Sequence, residues 1–334
     1  WIAGARASFS LVAEVDYVDG DESHRVTLNL TRIDDETFDL DVRHQEYWAK
    51  LYRRSDRTVL ILPRHKTAFV GEGELHTDDT IRPAEITSRM VGPGTVVAAY
   101  MPVLWTGNPT VVSTALQSLL PLKPDDADGV YKIGDDASVR FDAATFTLKQ
   151  GESTLRVELT DATKPADIES ELTGVKVTQI ERDEIEQTIC RGARRALEVL
   201  APSAVLTMPV QRDQQIGHGE LHWIDGQRVA LLSGSPEQIG HAHGQLLKQE
   251  TLRCVDSVIH MFGLARTIES GHWFRQDLNE AYRRLKPHIP VDHLQETDAL
   301  ADSIGWDRKL VQVVNVFPEL FHCSGFAVFG SATR

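Results

Sequence analysis

Between residues 8 and 72 the chain alternates apolar and polar positions in short runs. "SFSLVAEVDYV", "HRVTLNLTRI", "ETFDLDVR", "EYWAKLYRR", "RTVLILPR" and "KTAFVGE" are rich in Val, Thr, Leu and aromatic residues, and turns of Asp, Gly, Ser and Arg separate them. Period-two patterning of this kind predicts an antiparallel meander with one dry face. Alternation returns in "GVYKIG", "SVRFDA", "TFTLKQ", "TLRVELT" and "VKVTQI". Between the two strand-rich stretches, residues 83–122 are less regular and are predicted to be helical, broken by Gly92-Pro93-Gly94 and Pro109. Residues 183–199 shift to a helical period, with Ile185, Ile189, Ala193, Ala196 and Leu197 on one stripe.

"APSAVLTMPVQRDQQIG", residues 201–217, breaks both periods with two prolines and a polar cluster. It reads as a connector, with a boundary near residue 205 and predicted domains 1–205 and 206–334. "GELHWIDGQRVALLSG" follows as two strands about an Asp225-Gly226 turn. Ser235, Pro236 and Gln238 then supply an N-cap, a first-position proline and a capping-box partner for one long helix running through "HMFG". Helical patterns recur near 275–286, 291–303 and 307–316, the last with Asp307 as N-cap. A proline-interrupted loop leads into "HCSGFAVFG", an alternating stretch that reads as a strand starting at Cys323. The expected fold class is α+β: an N-terminal antiparallel sheet with helices, then a helix-rich second domain.

Bulk properties narrow the function. A length of 334 residues suits two domains. The formal charge of -14, gathered in clusters such as "DYVDGDES" and "KPDDADG", repels phosphate backbones and argues against nucleic acid as a partner. No apolar run reaches the roughly 18 residues of a membrane span, so no transmembrane segment is expected. The first residue is Trp1, which implies a trimmed or processed N-terminus. Nine of the thirteen histidines lie between His218 and His322. His241 and His243 sit two apart on a predicted helix and point apart, His218 and His222 match no ligand spacing, and no H-E-x-x-H occurs. Neither a metal nor a cofactor is therefore expected. In "GHAHG" the feature of interest is Gly240 and Gly244, four apart, which let a neighbouring element approach the helix.

Three cysteines, Cys190, Cys254 and Cys323, make neither a disulfide framework nor a zinc pattern. Cys190 and Cys254 lie in helical patterns and are expected to be small core side chains. Cys323 follows a loop, opens a strand, and has small neighbours. A nucleophile placed first on a strand becomes a new N-terminus when the preceding bond is cut, and the released α-amine then acts as base toward its own side chain. A thiol suits that design because even a small thiolate fraction is strongly nucleophilic.

These segments also carry a resemblance. "SGSPEQIGHAHGQLL" resembles the "G-x-P-x-x-x-G-x-x-H-G-x-L" opening of the isopenicillin N acyltransferase family of N-terminal nucleophile hydrolases. Phospholipase-B-like and acid-ceramidase-like amidases are looser relatives of that family. "VNVFPELFHCSGFAVFGSATR" is similar to the family's approach to its nucleophile: an Asn, a short loop, then Cys-Ser opening a strand. The resemblance implies that residues 206–334 are the leading part of an αββα domain. It implies self-cleavage between His322 and Cys323, Cys323 as nucleophile, Ser324, Asn315 and His243 as site neighbours, and a small-molecule acyl or amide substrate. His322 departs from the Gly that often precedes the nucleophile. Eleven residues follow Cys323, and "FGSATR" resembles the family's run into a "D-G-x-x-x-x-G-R-N-x-D" segment. The expectation is a leading fragment of a longer precursor, inactive alone. The strand rhythm of residues 1–205 resembles the lipoprotein-carrier-like folds of bacterial envelopes, in which a curved antiparallel sheet wraps around helices. That resemblance implies an extracytoplasmic or periplasmic location and a face for a lipid or peptide; a plain docking scaffold is the alternative. Three readings stay open: an autoproteolytic cysteine acyltransferase or amidohydrolase, a non-catalytic envelope protein binding a lipid, peptide or protein partner, and a metal-dependent hydrolase built on the histidines.

Overall fold

The computed structural model describes residues 8–34, 36–81, 122–124, 130–133, 137–141, 145–200 and 213–321. They form an α+β protein with a large, mostly antiparallel open sheet and no closed barrel. The chain divides into two compact units. Among the described residues the first holds residues 8–190 with Ile268–Gly271, and the second holds Arg191–Leu200 and the rest of 213–321. The division falls at Cys190/Arg191. Residue 205, the boundary read from the sequence, lies outside the described residues, as does most of the stretch 83–122 expected to be helical.

The first unit is built on strands β1 (Phe9–Asp19), β2 (Glu22–Arg32), β3 (Phe38–Arg43), β4 (Trp48–Arg53), β5 (Arg57–Leu62), β6 (Thr67–Glu72), β7 (Leu122–Pro124), β8 (Val130–Ile133), β9 (Ala137–Phe141), β10 (Thr145–Gln150), β11 (Ser153–Thr160) and β12 (Lys176–Gln179). Their order in the sheet is β12-β6-β5-β4-β3-β2-β1-β11-β10-β9-β8-β7, and only β12 joins in parallel, against β6. Register follows from the alternation. Leu11 pairs with Leu30, Leu30 with Leu40, Leu40 with Leu51, Leu51 with Leu60 and Leu60 with Phe69, an apolar row across six strands of one face. The matching row on the other face reads Val12, Asn29, Asp41, Lys50, Ile61, Ala68: polar or exposed through β4, apolar in β5 and β6. There helix α1 (Ile168–Leu172) covers it, and Ile168 packs with Tyr52, Val59, Ile61, Ala68 and Val70. β5 and β6 are thus buried on both faces, which explains why "TVLIL" and "TAFV" lose the alternation that β2 keeps. Helix α2 (Arg182–Leu200) follows, with Ile185 and Ile189 buried as its stripe predicts.

In the second unit β13 (Gln214–Ile216), β14 (Gly219–Ile224) and β15 (Gln227–Leu232) form a small antiparallel sheet. The stretch 214–216, read from its polar sequence as connector, is instead a strand, because pairing with β14 imposes extension on three residues too few to show a period. Asp225 and Gly226 take φ of 52° and 78°, the left-handed pair that a tight hairpin turn requires. Helix α3 (Pro236–Leu246) begins with the full capping box: the Ser235 hydroxyl accepts from the Gln238 N–H, and the Gln238 side chain accepts from the Ser235 N–H.

The single long helix expected from Ser235 onward is broken. Leu247 leaves helical geometry at φ -122°, ψ 28°, and α4 (Lys248–Val255) restarts the helix. Asp256–Phe262 is then a π-helical turn, followed by α5 (Gly263–Ser270). In the second unit, a Cβ at Gly192 would lie 2.8 Å from the His260 carbonyl oxygen, and Arg191 bonds Asp256 at 3.1 Å. The remaining helices are α6 (Phe274–Leu285), α7 (Val291–Ile304) and α8 (Arg308–Val314), close to their expected bounds, with Asp307 capping α8 through the Leu310 N–H. Gly240 and Gly244 do what their spacing suggests. An added Cβ would stand 2.1 Å from the Glu296 carbonyl oxygen at Gly240 and 2.6 Å from Ser303 Oγ at Gly244, so α3 and α7 meet backbone to backbone. Of the two helical cysteines, Cys190 is buried but Cys254 is exposed, because α4 turns Val255 inward and leaves Cys254 on its wet side.

Candidate active site

One core cluster of the second unit is Val255, Ile259, Phe274, Leu278, Tyr282, Val313 and Val316, and a second is Leu300, Ala301, Ile304 and Val311. Leu278 and Tyr282 are one turn apart on α6, so both point at α8, which returns Val313. At the edge of the first cluster the packing opens into a cavity of about 600 Å³. Its apolar wall is Leu285, Ile289, Leu294 and Val316; its polar groups include His288, His293 and Glu296.

Two hydrogen-bonded chains order the polar floor. The Tyr282 hydroxyl donates to Gln312 Oε1 at 2.5 Å, and Gln312 Nε2 donates to Asp298 Oδ1 at 2.5 Å. Burial, and then the nearby Asp298 charge, hold the Tyr282 phenol above its ordinary value, which keeps it a donor. Beside it Asn315 Nδ2 donates to Thr297 Oγ1 at 3.0 Å, and the Thr297 hydroxyl donates to the His293 carbonyl at 2.8 Å. Gln312 is held through both its amide atoms and Asn315 through its nitrogen, and Asn315 Oδ1 keeps its hydrogen-bonding capacity for a ligand. The lining is mixed, with one apolar side and more polar than apolar residues, so the cavity can offer a small molecule both contact area and hydrogen-bonding groups.

The sequence-derived residues divide three ways. His322, Cys323 and Ser324 lie outside the described residues. Asn315 lines the cavity at the C-terminal end of α8, eight positions before Cys323. His243 lies on α3, half-buried, and is not among the residues lining the cavity. Tyr282, Thr297 and Gln312 were not anticipated. The available signal was Gln312, a polar residue inside the apolar run "LVQVV". Among the described residues no three His, Cys, Asp or Glu side chains are grouped to hold a metal ion, and no helix is long and apolar enough to cross a membrane. No protein-family model matches the chain, and no curated protein matches it.

Proposed function

We propose that the chain is part of an autoproteolytic cysteine acyltransferase or amidohydrolase, with Cys323 as nucleophile and the second-unit cavity holding substrate. The observation that supports this most directly is Asn315: it is fixed by Thr297 in the cavity wall and sits eight residues before the thiol. Activation begins with attack of the Cys323 sulfur on the His322 carbonyl carbon. The C–N bond breaks, the nitrogen leaves as the Cys323 α-amine, and water hydrolyses the resulting thioester to free the His322 carboxylate and the thiol. In turnover the α-amine takes the thiol proton, the sulfur attacks the acyl donor, and the amine returns the proton to the leaving group. The acyl group, held as a thioester, then passes to water or to an acceptor amine.

The test is the full-length gene product with Cys323 intact and as Cys323→Ala. The intact protein is expected to yield a piece beginning at Cys323 by mass spectrometry and to hydrolyse acyl-amide substrates. The alanine form is expected to do neither, and amidase activity retained by Cys323→Ala overturns the assignment.

The apolar row of the first unit supports a second reading, an envelope protein that binds a lipid or peptide. Leu11, Leu30 and Leu40 continue the face of the buried Leu51, Leu60 and Phe69 but are themselves only half-buried. Saturable binding of a fluorescent fatty acid, unchanged in Cys323→Ala, would support it; no binding at micromolar probe would remove it.

A further inference from the structure

β13 has three residues and three pairs to β14, too little ladder to hold an edge strand firmly by itself. Asp213, just before it, extends the connection with its side chain. Its Oδ1 accepts from the Trp223 N–H at 3.1 Å, and its Oδ2 lies 3.1 Å from His222 Nδ1. The other ring nitrogen of His222, Nε2, lies 2.9 Å from Glu220 Oε2, two residues away on the same side of β14. The imidazole is therefore flanked by a carboxylate at each nitrogen. Only the imidazolium donates to both; in the neutral ring one lone pair faces an anionic oxygen.

We propose that Asp213, His222 and Glu220 form a proton-dependent latch that fastens β13 to β14, closed in mildly acidic surroundings and loosened in alkaline ones. The groups around the ring are few. The residue before β13 contributes the Asp213 carboxylate and β14 contributes that of Glu220. β15 places the uncharged Val229 directly opposite His222. Arg228 pairs across from Trp223, hence on the opposite face, and bonds Glu250. Helix α3 packs on that opposite face too, where Gly219 meets Ala242 and Leu246. No charged group other than the two carboxylates is thus shown facing His222 among the described residues.

The direction of the switch follows from the charges. The hydrogen bonds to Glu220 and then Asp213 raise His222 above its ordinary 6.5, and the same contact, with the Trp223 N–H, lowers Asp213. A histidine raised on folding adds stability that is complete below its unfolded value and is lost as pH rises through its higher folded value. The latch is independent of Cys323 and of the cavity.

Hydrogen–deuterium exchange of the 213–224 segment at about pH 6 and about pH 9, corrected for intrinsic rates, tests it. The cluster is exposed, so protection of the Trp223 amide is expected to drop only about two- to fivefold over that range. His222→Gln should show low protection with a flat profile. Asp213→Asn keeps an acceptor for the Trp223 N–H without the charge and should show a shallower profile, which preserves the test if the first variant folds poorly. A flat wild-type profile, or one unchanged in both variants, overturns the latch.

Discussion

Glu186 in the first unit and Glu220 in the second are both helpers of a cation, yet they are different physical objects. Glu186 is fully buried: Oε1 accepts from Arg53 Nε at 2.9 Å and from Thr58 Oγ1, and Oε2 accepts from the Ile81 N–H at 2.7 Å. Its partner Arg53 is also fully buried and reaches Glu36 at 2.7 Å. Arg182 closes the cluster by donating to the carbonyls of Ser55, Gly73 and Arg54. Burial draws the Arg182 guanidinium below its ordinary value, Glu186 opposes that, and the three carbonyls help satisfy the buried cation. Glu220, in contrast, is half in water beside a half-exposed His222. The chemistry of the partners is similar, but water is excluded from one cluster and screens the other. Burial turns the first into a fixed joint and leaves the second free to titrate.

The largest expected effect breaks the buried side of this contrast. Glu186→Ala leaves Arg53 buried beside a void and should cost about 3–5 kcal/mol. Glu186→Gln keeps the shape and should cost less, because the amide oxygen still accepts one of the donors. Urea denaturation followed by circular dichroism measures both. A loss under about 1 kcal/mol for the alanine form would mean that water reaches the cluster.

The second test asks whether burial or charge sets the scale. Gly240 carries no charge but lies on a seam where a Cβ meets the Glu296 carbonyl oxygen at 2.1 Å. Gly240→Ala must push α3 from α7 and should cost about 1–3 kcal/mol in spite of the better helix propensity of alanine. Gln245→Ala, on the exposed side of α3, is the control and should change little. If Gly240→Ala is as mild as the control, the two helices adjust freely and the seam is not a constraint.

Local features and features assembled across the chain differ in how far the sequence announced them. Ser235-Pro236-Gln238, Asp225-Gly226 and the Gly240/Gly244 spacing are local signals, each readable because a cap, a turn or a close approach restricts residue type at fixed offsets. All three appear in the structure as the sequence suggests. The Glu186 joint joins residues 36, 53, 58, 81, 182 and 186, which only the sheet order brings together; in the helix pattern Glu186 reads as a wet-face residue between Ile185 and Ile189. The cavity has the same character, since Tyr282, Thr297 and Gln312 come from three helices. The break at Leu247 and the π-turn after it were invisible because the apolar spacing of "LLKQETLRCVDSVIHMFG" suits a continuous helix.

A smaller effect comes from the cap that was legible. Ser235→Ala removes the acceptor for the Gln238 N–H and should lower stability by about 1 kcal/mol, with Ser235→Asp close to wild type. The site is exposed like the His222 cluster, but the group it satisfies is a backbone donor and not a screened charge. The cost should therefore persist in 0.5 M salt, and a cost that vanishes there would place the cap with the screened pairs.

The smallest effect sharpens the exposed side of the contrast, and its readout is a titration. The hydrogen bond to Glu220 is the largest single hold on the His222 proton, and the one to Asp213 the next. Of the single variants, Glu220→Gln should bring the His222 midpoint further toward the ordinary 6.5 than Asp213→Asn does, and the double variant should lie lowest. Ring-proton chemical shifts by NMR resolve the three. The sign for stability follows from the same order. Each variant narrows the gap between folded and unfolded values, so each should flatten the decline of the thermal midpoint as pH rises past the wild-type value. Salt should shrink the differences, because all three groups face water. A reversed order, with Asp213→Asn the stronger, would mean that the contact across β13 and β14 dominates the one along β14. A His222 midpoint unmoved by either substitution would mean that solvent screens both carboxylates completely, and the cluster would then be a surface arrangement with no hold on the strand.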